Sequence, residues 1–164
     1  MTPDFTFYRV LCTSPPELES ERQAFESAVA GFVEDVSMKE RVLFAPASLR
    51  PPTVASRQKE IVEANVRLCE FVIAVFGEQP ADPVFGEFAA YAVDCARDPA
   101  IGTRAVALCF RNYKQAAPEV RALRAGLKER GPCELRGFRD AKEFSAVVRD
   151  LLCGWYDPPR PVTG

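Results

Sequence analysis

The segment Phe85-Gly86-Glu87-Phe88-Ala89-Ala90-Tyr91-Ala92 holds the side chain best placed to do chemistry. Glu87 is a lone carboxylate near the start of a helical stretch rich in alanine and aromatics. The N-terminal end of a helix favours negative charge, and nearby amide donors favour the ionised form. A positioned carboxylate can attack an anomeric carbon or accept from ribose hydroxyls. Gly86 allows close approach of a ligand or of neighbouring backbone. Glu87 also reads, more simply, as a first-turn acid that stabilises its own helix.

Other candidates are scattered along the chain. Thr13 and Ser14 follow an apolar run, and Phe76-Gly77 closes another. Arg22 either folds back towards a site or pairs with Glu26 one helical turn on. Tyr113, after Asn112, can stack on a base or pack locally. Arg50, Arg57 and Lys59 can meet a phosphate or form a solvated face. There is no histidine, which removes Ser-His-Asp and Cys-His catalysis and a histidine base. Walker A and G-x-G-x-x-G sequences are absent. Val75-Phe76-Gly77 offers no aspartate of the kind a phosphate-accepting receiver needs. Prolines in Thr13-Ser14-Pro15-Pro16 remove the amide donors that a flavin-phosphate loop would use.

Five apolar runs alternate with five amphipathic stretches and position these residues. The runs are Phe5 to Cys12, Arg41 to Pro46, Cys69 to Phe76, Thr103 to Phe110, and Pro132 to Leu135. The helical stretches are about 16–35, 54–68 (capped by Thr53 or Ser56), 83–97, 118–130 and 141–156. Leu18, Phe25, Ala28, Val29, Phe32, Val33 and Val36 follow a helical period in the first. Glu17, Glu19 and Glu21 suit its dipole. Asp82 and Pro83 fit the N-cap and first position of the third. Ala47 to Thr53 reads as a loop.

This alternation specifies an α/β fold, a flavodoxin-like three-layer sandwich. Its five-stranded parallel sheet has the expected order 2-1-3-4-5. Strands one and three then flank the switch point. The site is expected from Cys12 to Pro16, the Phe76 to Glu87 segment, and parts of the loops at 47–53 and 111–117. Residues 1–156 read as a single domain and 157–164 as a proline-rich tail.

Composition sets the class. The chain has 164 residues, 48% hydrophobic and 27% charged, with a net charge of −2. That balance argues against a nucleic-acid module, and no apolar run is long enough to span a bilayer. The start shows no basic and apolar export signal, so the expected location is the cytoplasm. The six cysteines lie in or beside apolar stretches without C-x-x-C pairs, and are expected to be reduced and mostly buried. No cofactor and no metal site is expected.

Three stretches together resemble a bacterial TIR-like domain family of unknown function. Thr13-Ser14-Pro15-Pro16-Glu17-Leu18-Glu19-Ser20-Glu21-Arg22 resembles its S-S-T-F-x-D-L-x-x-E-R opening. Cys69 to Gly77 resembles its C-D-I-F-I-G-I-x-G strand, with Glu70 in place of the aspartate. Phe85 to Ala92 resembles its S-x-x-E-x-E-Y-x-x-A helix start. That last segment is also similar to the G-T-A-x-E-x-G-x-A helix of nucleoside 2-deoxyribosyltransferases, whose glutamate is the nucleophile. The resemblance covers about residues 5–115. It implies that Glu87 is catalytic and that Glu21-Arg22 match the acidic-basic pair of the first helix. It implies an N-glycosidic hydrolase or transferase acting on a nucleoside, nucleotide or NAD-like ligand. The alternative is a non-catalytic TIR-like interaction or signalling module. A homo-oligomer or a signalling protein is the expected partner, and neither nucleic acid nor membrane is.

Overall fold

A computed structural model describes residues 4–49 and 59–156. The strands are β1 (Thr6–Thr13), β2 (Val42–Leu49), β3 (Phe71–Phe76), β4 (Ala105–Arg111) and β5 (Glu134–Phe138). The main helices are α1 (Glu19–Phe32), α2 (Lys59–Arg67), α3 (Pro83–Arg97), α4 (Pro118–Arg130) and α5 (Ala141–Tyr156). The sheet order is β2-β1-β3-β4-β5, and every pair is parallel. This is the flavodoxin-like order read from the sequence. The candidate caps Thr53 and Ser56, and Arg50, Arg57 and the tail 157–164, lie outside the described residues.

Strand pleating divides the core. Val10, Cys12, Phe71, Ile73, Val75, Ala107 and Cys109 face α1 and α5. Leu11, Val72, Ala74, Phe76, Val106, Leu108 and Phe110 face α2, α3 and α4. All six residues of β3 are buried, as a strand covered on both faces must be. Asp82 caps α3 by accepting from Val84 N at 3.0 Å, and Pro83 is its first residue. None of the helices described is long and apolar enough to cross a membrane.

Several boundaries differ from the sequence reading. Ala47, Ser48 and Leu49 belong to β2 rather than to a loop. Pro46 stops the apolar pattern but not the strand, because β2 is an edge strand that tolerates a missing amide donor. Thr13 is the last residue of β1, and Arg111 the last of β4. β5 starts two residues later than expected and reaches Phe138. The first helix does not stop near Asp35. It continues through a π-turn at Val33–Ser37 and a last turn at Met38–Glu40.

Arg41 then ends the helix with φ 59°, a left-handed conformation that glycine adopts without strain. Arg41→Gly should therefore stabilise the fold by about 1 kcal/mol, read as a higher urea midpoint at unchanged slope. A lower midpoint would show that the arginine side chain contributes more than its backbone costs.

The cysteines divide by burial. Cys12, Cys69, Cys95 and Cys109 are buried, Cys133 is half-buried and Cys153 is exposed. Burial raises the Cys12 thiol and pushes Cys109 up to about 12 and Cys69 up to about 11. A thiol-specific label should modify Cys153 first in the native protein, and Cys12 and Cys109 only after unfolding. Fast native labelling of Cys12 would contradict this packing.

Candidate functional site

Carboxyl ends of parallel strands gather ligand-binding groups at the switch point, here between β1 and β3. Four segments lie around it: Thr13-Ser14 at the end of β1, Gly77-Glu78 after β3, Arg111-Asn112 at the end of β4, and the start of α1. Asn112 takes a left-handed turn with φ 46°, which asparagine tolerates better than most residues. That turn helps direct its side chain back to β3, where Nδ2 donates to Glu78 Oε1 at 2.6 Å.

Arg111 is the hub of this cluster. Its Nε donates to both Glu78 oxygens at 3.0 and 3.1 Å, and Nη2 donates to Glu78 Oε2 at 3.0 Å. Its Nη1 donates to Glu21 Oε1 at 2.9 Å. Ser20 Oγ donates to the second Glu21 oxygen at 2.8 Å. Glu21 is 2% exposed, so its carboxylate is desolvated and depends on these donors. The Arg111 guanidinium, joined by Asn112, holds the Glu78 carboxyl down at about 2. The same hydrogen bond to Glu78, with that to Glu21, raises the arginine.

The guanidinium lies over Gly77. A Cβ there would stand 3.6 Å from Arg111 Nη2 and 3.5 Å from Leu18 Cδ2. Leu18 and Arg111 thus cover the end of β3. At the end of β1, Thr13 Oγ1 and Ser14 Oγ are buried and find no hydrogen-bond partner among the described residues. A buried hydroxyl left unpaired costs about 1–3 kcal/mol, so each of these groups calls for a reason.

Glu87 sits elsewhere on the same edge. It is exposed, while Phe85, Phe88, Ala89, Ala92 and Val93 form the buried face of α3. It lines a cleft of about 650 Å³ between α3 and α4. Phe76, Gly77 and Gly86 line the same cleft, as do Asp82, Leu123 and Arg130. A Cβ on Gly86 would meet Leu123 at 3.0 Å, so the close approach that this glycine allows is to α4. Thr13, Ser14, Arg22 and Tyr113 are not among the lining residues of that cleft.

Arg22 donates to Glu19 at 2.8 Å, Glu26 at 3.4 Å and Ser48 at 3.5 Å, which ties α1 to the end of β2. Tyr113 is half-buried, edge-on to Phe110, with the Arg124 guanidinium 4.5 Å from its ring centroid. Glu70 Oε2 accepts from the Arg9 backbone amide at 2.6 Å, a side-chain contact just before β3, at the far end of the sheet.

The structure thus brings Phe76, Gly77, Gly86 and Glu87 to one cleft, and Thr13 and Ser14 to the adjacent strand end. Sequence reasoning included the Phe76–Glu87 segment and the loop from Arg111, but missed the individual roles of Glu78, Arg111 and Asn112. The available signal was a charged residue just after β3 and an opposite charge at the end of β4. Strand neighbours in the expected order bring such residues together.

No protein-family model matches the chain, and no curated protein matches it. Solved structures do match. The chain is similar to the Clostridium botulinum CMP N-glycosidase BcmB, at TM-score 0.52 and 19% identity, over 87% of this chain and 98% of that one. It is also similar to the Flv1 flavodiiron core from Synechocystis sp. PCC6803, at TM-score 0.53 and 10% identity. That match covers 94% of this chain but only 37% of the flavodiiron core. At these identities the likenesses speak to the shared fold.

Proposed function

We propose that this domain acts on the N-glycosidic bond of a nucleotide or nucleoside, as a hydrolase or transferase. The observation that carries the reading is the placement of the Glu87 carboxylate in a 650 Å³ cleft at the end of β3, on a fold shared with a CMP N-glycosidase. A cleft of this size suits a nucleotide-sized ligand. In this reading a Glu87 oxygen attacks C1′ of the sugar, and the C1′–N bond breaks. The base leaves with that electron pair and takes a proton from water. Water, or an acceptor base, then attacks C1′ and frees the carboxylate. Phe76, Gly77 and Gly86 form the wall against which the ligand lies. Thr13, Ser14, Arg22 and Tyr113 are the further binding residues of the proposal. The test is base release from nucleoside, nucleotide and NAD substrates by the wild-type chain and by Glu87→Gln.

A second reading is a non-catalytic TIR-like interaction module. It is favoured by the cover that Leu18 and Arg111 make over the switch point, and by the sealing of Thr13 and Ser14 beneath the surface. Absence of turnover across that substrate panel would favour this module.

A further inference from the structure

The cleft between α3 and α4 that holds Glu87 carries charge of one sign. Its charged lining residues are Asp82, Glu87, Glu119 and Arg130, set among apolar walls such as Val120 and Leu123. The guanidinium is already engaged. Arg130 Nε donates to Asp94 Oδ1 at 2.8 Å, and Nη2 donates to Asp94 Oδ2 at 2.6 Å. Among the described residues, three carboxylates are left to set the field. A cleft lined by one sign of charge concentrates ligands of the opposite sign.

The backbone does not offset this field. Two helices begin at the cleft, and free amides at a helix N-terminus are what an anion binds. Here most of those amides are missing or used. Pro83 and Pro118 open α3 and α4 and carry no N–H. Val84 N donates to the Asp82 side chain at 3.0 Å, and Phe85 N to the Asp82 carbonyl at 3.1 Å. Val120 N and Arg121 N both donate to the Ala117 carbonyl, at 3.0 and 3.2 Å. A phosphate in this cleft would meet carboxylates and few of the donors it needs.

A second observation concerns protons. A neutral base leaving C1′ needs a proton on its nitrogen, which a positioned acid supplies best. The described lining of the cleft includes no histidine, lysine, tyrosine or cysteine. A base that is already a cation leaves as a neutral molecule and needs no proton.

We propose that the cleft takes a phosphate-free nucleoside whose base is positively charged, of the N-ribosylpyridinium class. The proposal rests on the N-glycosidic reading of Glu87 and narrows its substrate. A Glu87 oxygen bonds to C1′, and the C1′–N bond breaks with its electron pair passing to the ring nitrogen, which loses its charge. Water then attacks C1′, the bond to Glu87 breaks to restore the carboxylate, and one proton passes to solvent.

The test is titration calorimetry of the full chain with nicotinamide riboside, nicotinamide mononucleotide and cytidine, with released base followed by chromatography. The riboside should bind at least about 10-fold more tightly than the mononucleotide, with cytidine between them. Glu119→Gln should narrow the riboside-to-mononucleotide ratio about 3-fold, as loss of one charge at roughly 8 Å in water-like surroundings predicts. Asp82→Asn, which keeps a capping side chain, should narrow it similarly. Ionic strength of about 1 M should shrink the ratio in the wild type. Mononucleotide bound as tightly as riboside overturns the proposal, and base released from it then leaves the N-glycosidic reading standing. Cytidine bound as tightly as riboside, or a ratio that neither Glu119→Gln nor salt changes, also overturns the proposal. Riboside preferred as expected but not cleaved keeps the charge selection and overturns the N-glycosidic reading. Binding of none of the three probes overturns the proposal.

Discussion

Arg111→Met loses about 3 kcal/mol of folding stability at neutral pH, read by urea denaturation. The size follows from Glu21. Its side chain is 2% exposed, and Arg111 Nη1 is its one cationic hydrogen-bond donor among the contacts described. Removing the arginine leaves a desolvated carboxylate beside a single serine hydroxyl. Glu78 is 21% exposed and can be rehydrated, so Glu78→Gln alone costs about 1 kcal/mol. Removing both ends together tests the cause. Glu21→Gln combined with Arg111→Met should recover most of the loss, because a neutral amide is cheaper to bury than an unpaired charge.

The pH dependence has a defined sign. Glu78 is depressed from 4.5 to about 2 in the folded chain, mainly by its hydrogen bonds to Arg111. Its contribution is therefore complete above pH 4.5 and is lost as the pH falls through 2. In Arg111→Met that acid-side decline shrinks. A loss under about 1 kcal/mol for Arg111→Met would mean that Glu21 finds another partner, and the cluster would lose its claim to be fixed.

Much of the fold was legible because it is encoded locally. The bounds of α4 and α5 follow from Pro118 at the first helical position and from the spacing of Phe144, Val148, Leu151 and Leu152. The strand order followed from alternation and from the apolar run at β3. The extension of β2 past Pro46 was not legible, because only its edge position makes a proline harmless there. Nor was the π-turn at Val33–Ser37, since the apolar spacing passes through it without a break.

The site was legible by segment and not by residue. Glu21 reads in the sequence as one of three acids suited to a helix dipole, whereas in the fold it is a buried partner of Arg111, 90 positions away. No periodicity carries a pairing of that separation. Glu78 and Asn112 meet because β3 and β4 are neighbours in register, with Phe76 opposite Phe110. Strand order predicts such a meeting, but not which side chains turn towards each other.

Glu87→Gln has the largest expected effect on activity. If Glu87 is the attacking carboxylate, the amide keeps the size and loses the nucleophile, and base release should fall on the order of 100-fold or more. The variant should fold normally. Glu87 is exposed, and the face of α3 that packs on the sheet is built by Phe85, Phe88 and Ala89 instead. Normal folding makes the comparison clean, because lost turnover cannot then be ascribed to lost structure. The measurement is chromatographic detection of free base from a ribonucleotide, a nucleoside and NAD, with thermal melting run in parallel. Turnover unchanged in Glu87→Gln rules out the catalytic role and shifts attention to Glu78, the other reachable carboxylate at the end of β3. A wild-type chain that releases base from none of these substrates removes the enzyme reading, and the cleft between α3 and α4 is then better tested as a surface for a protein partner.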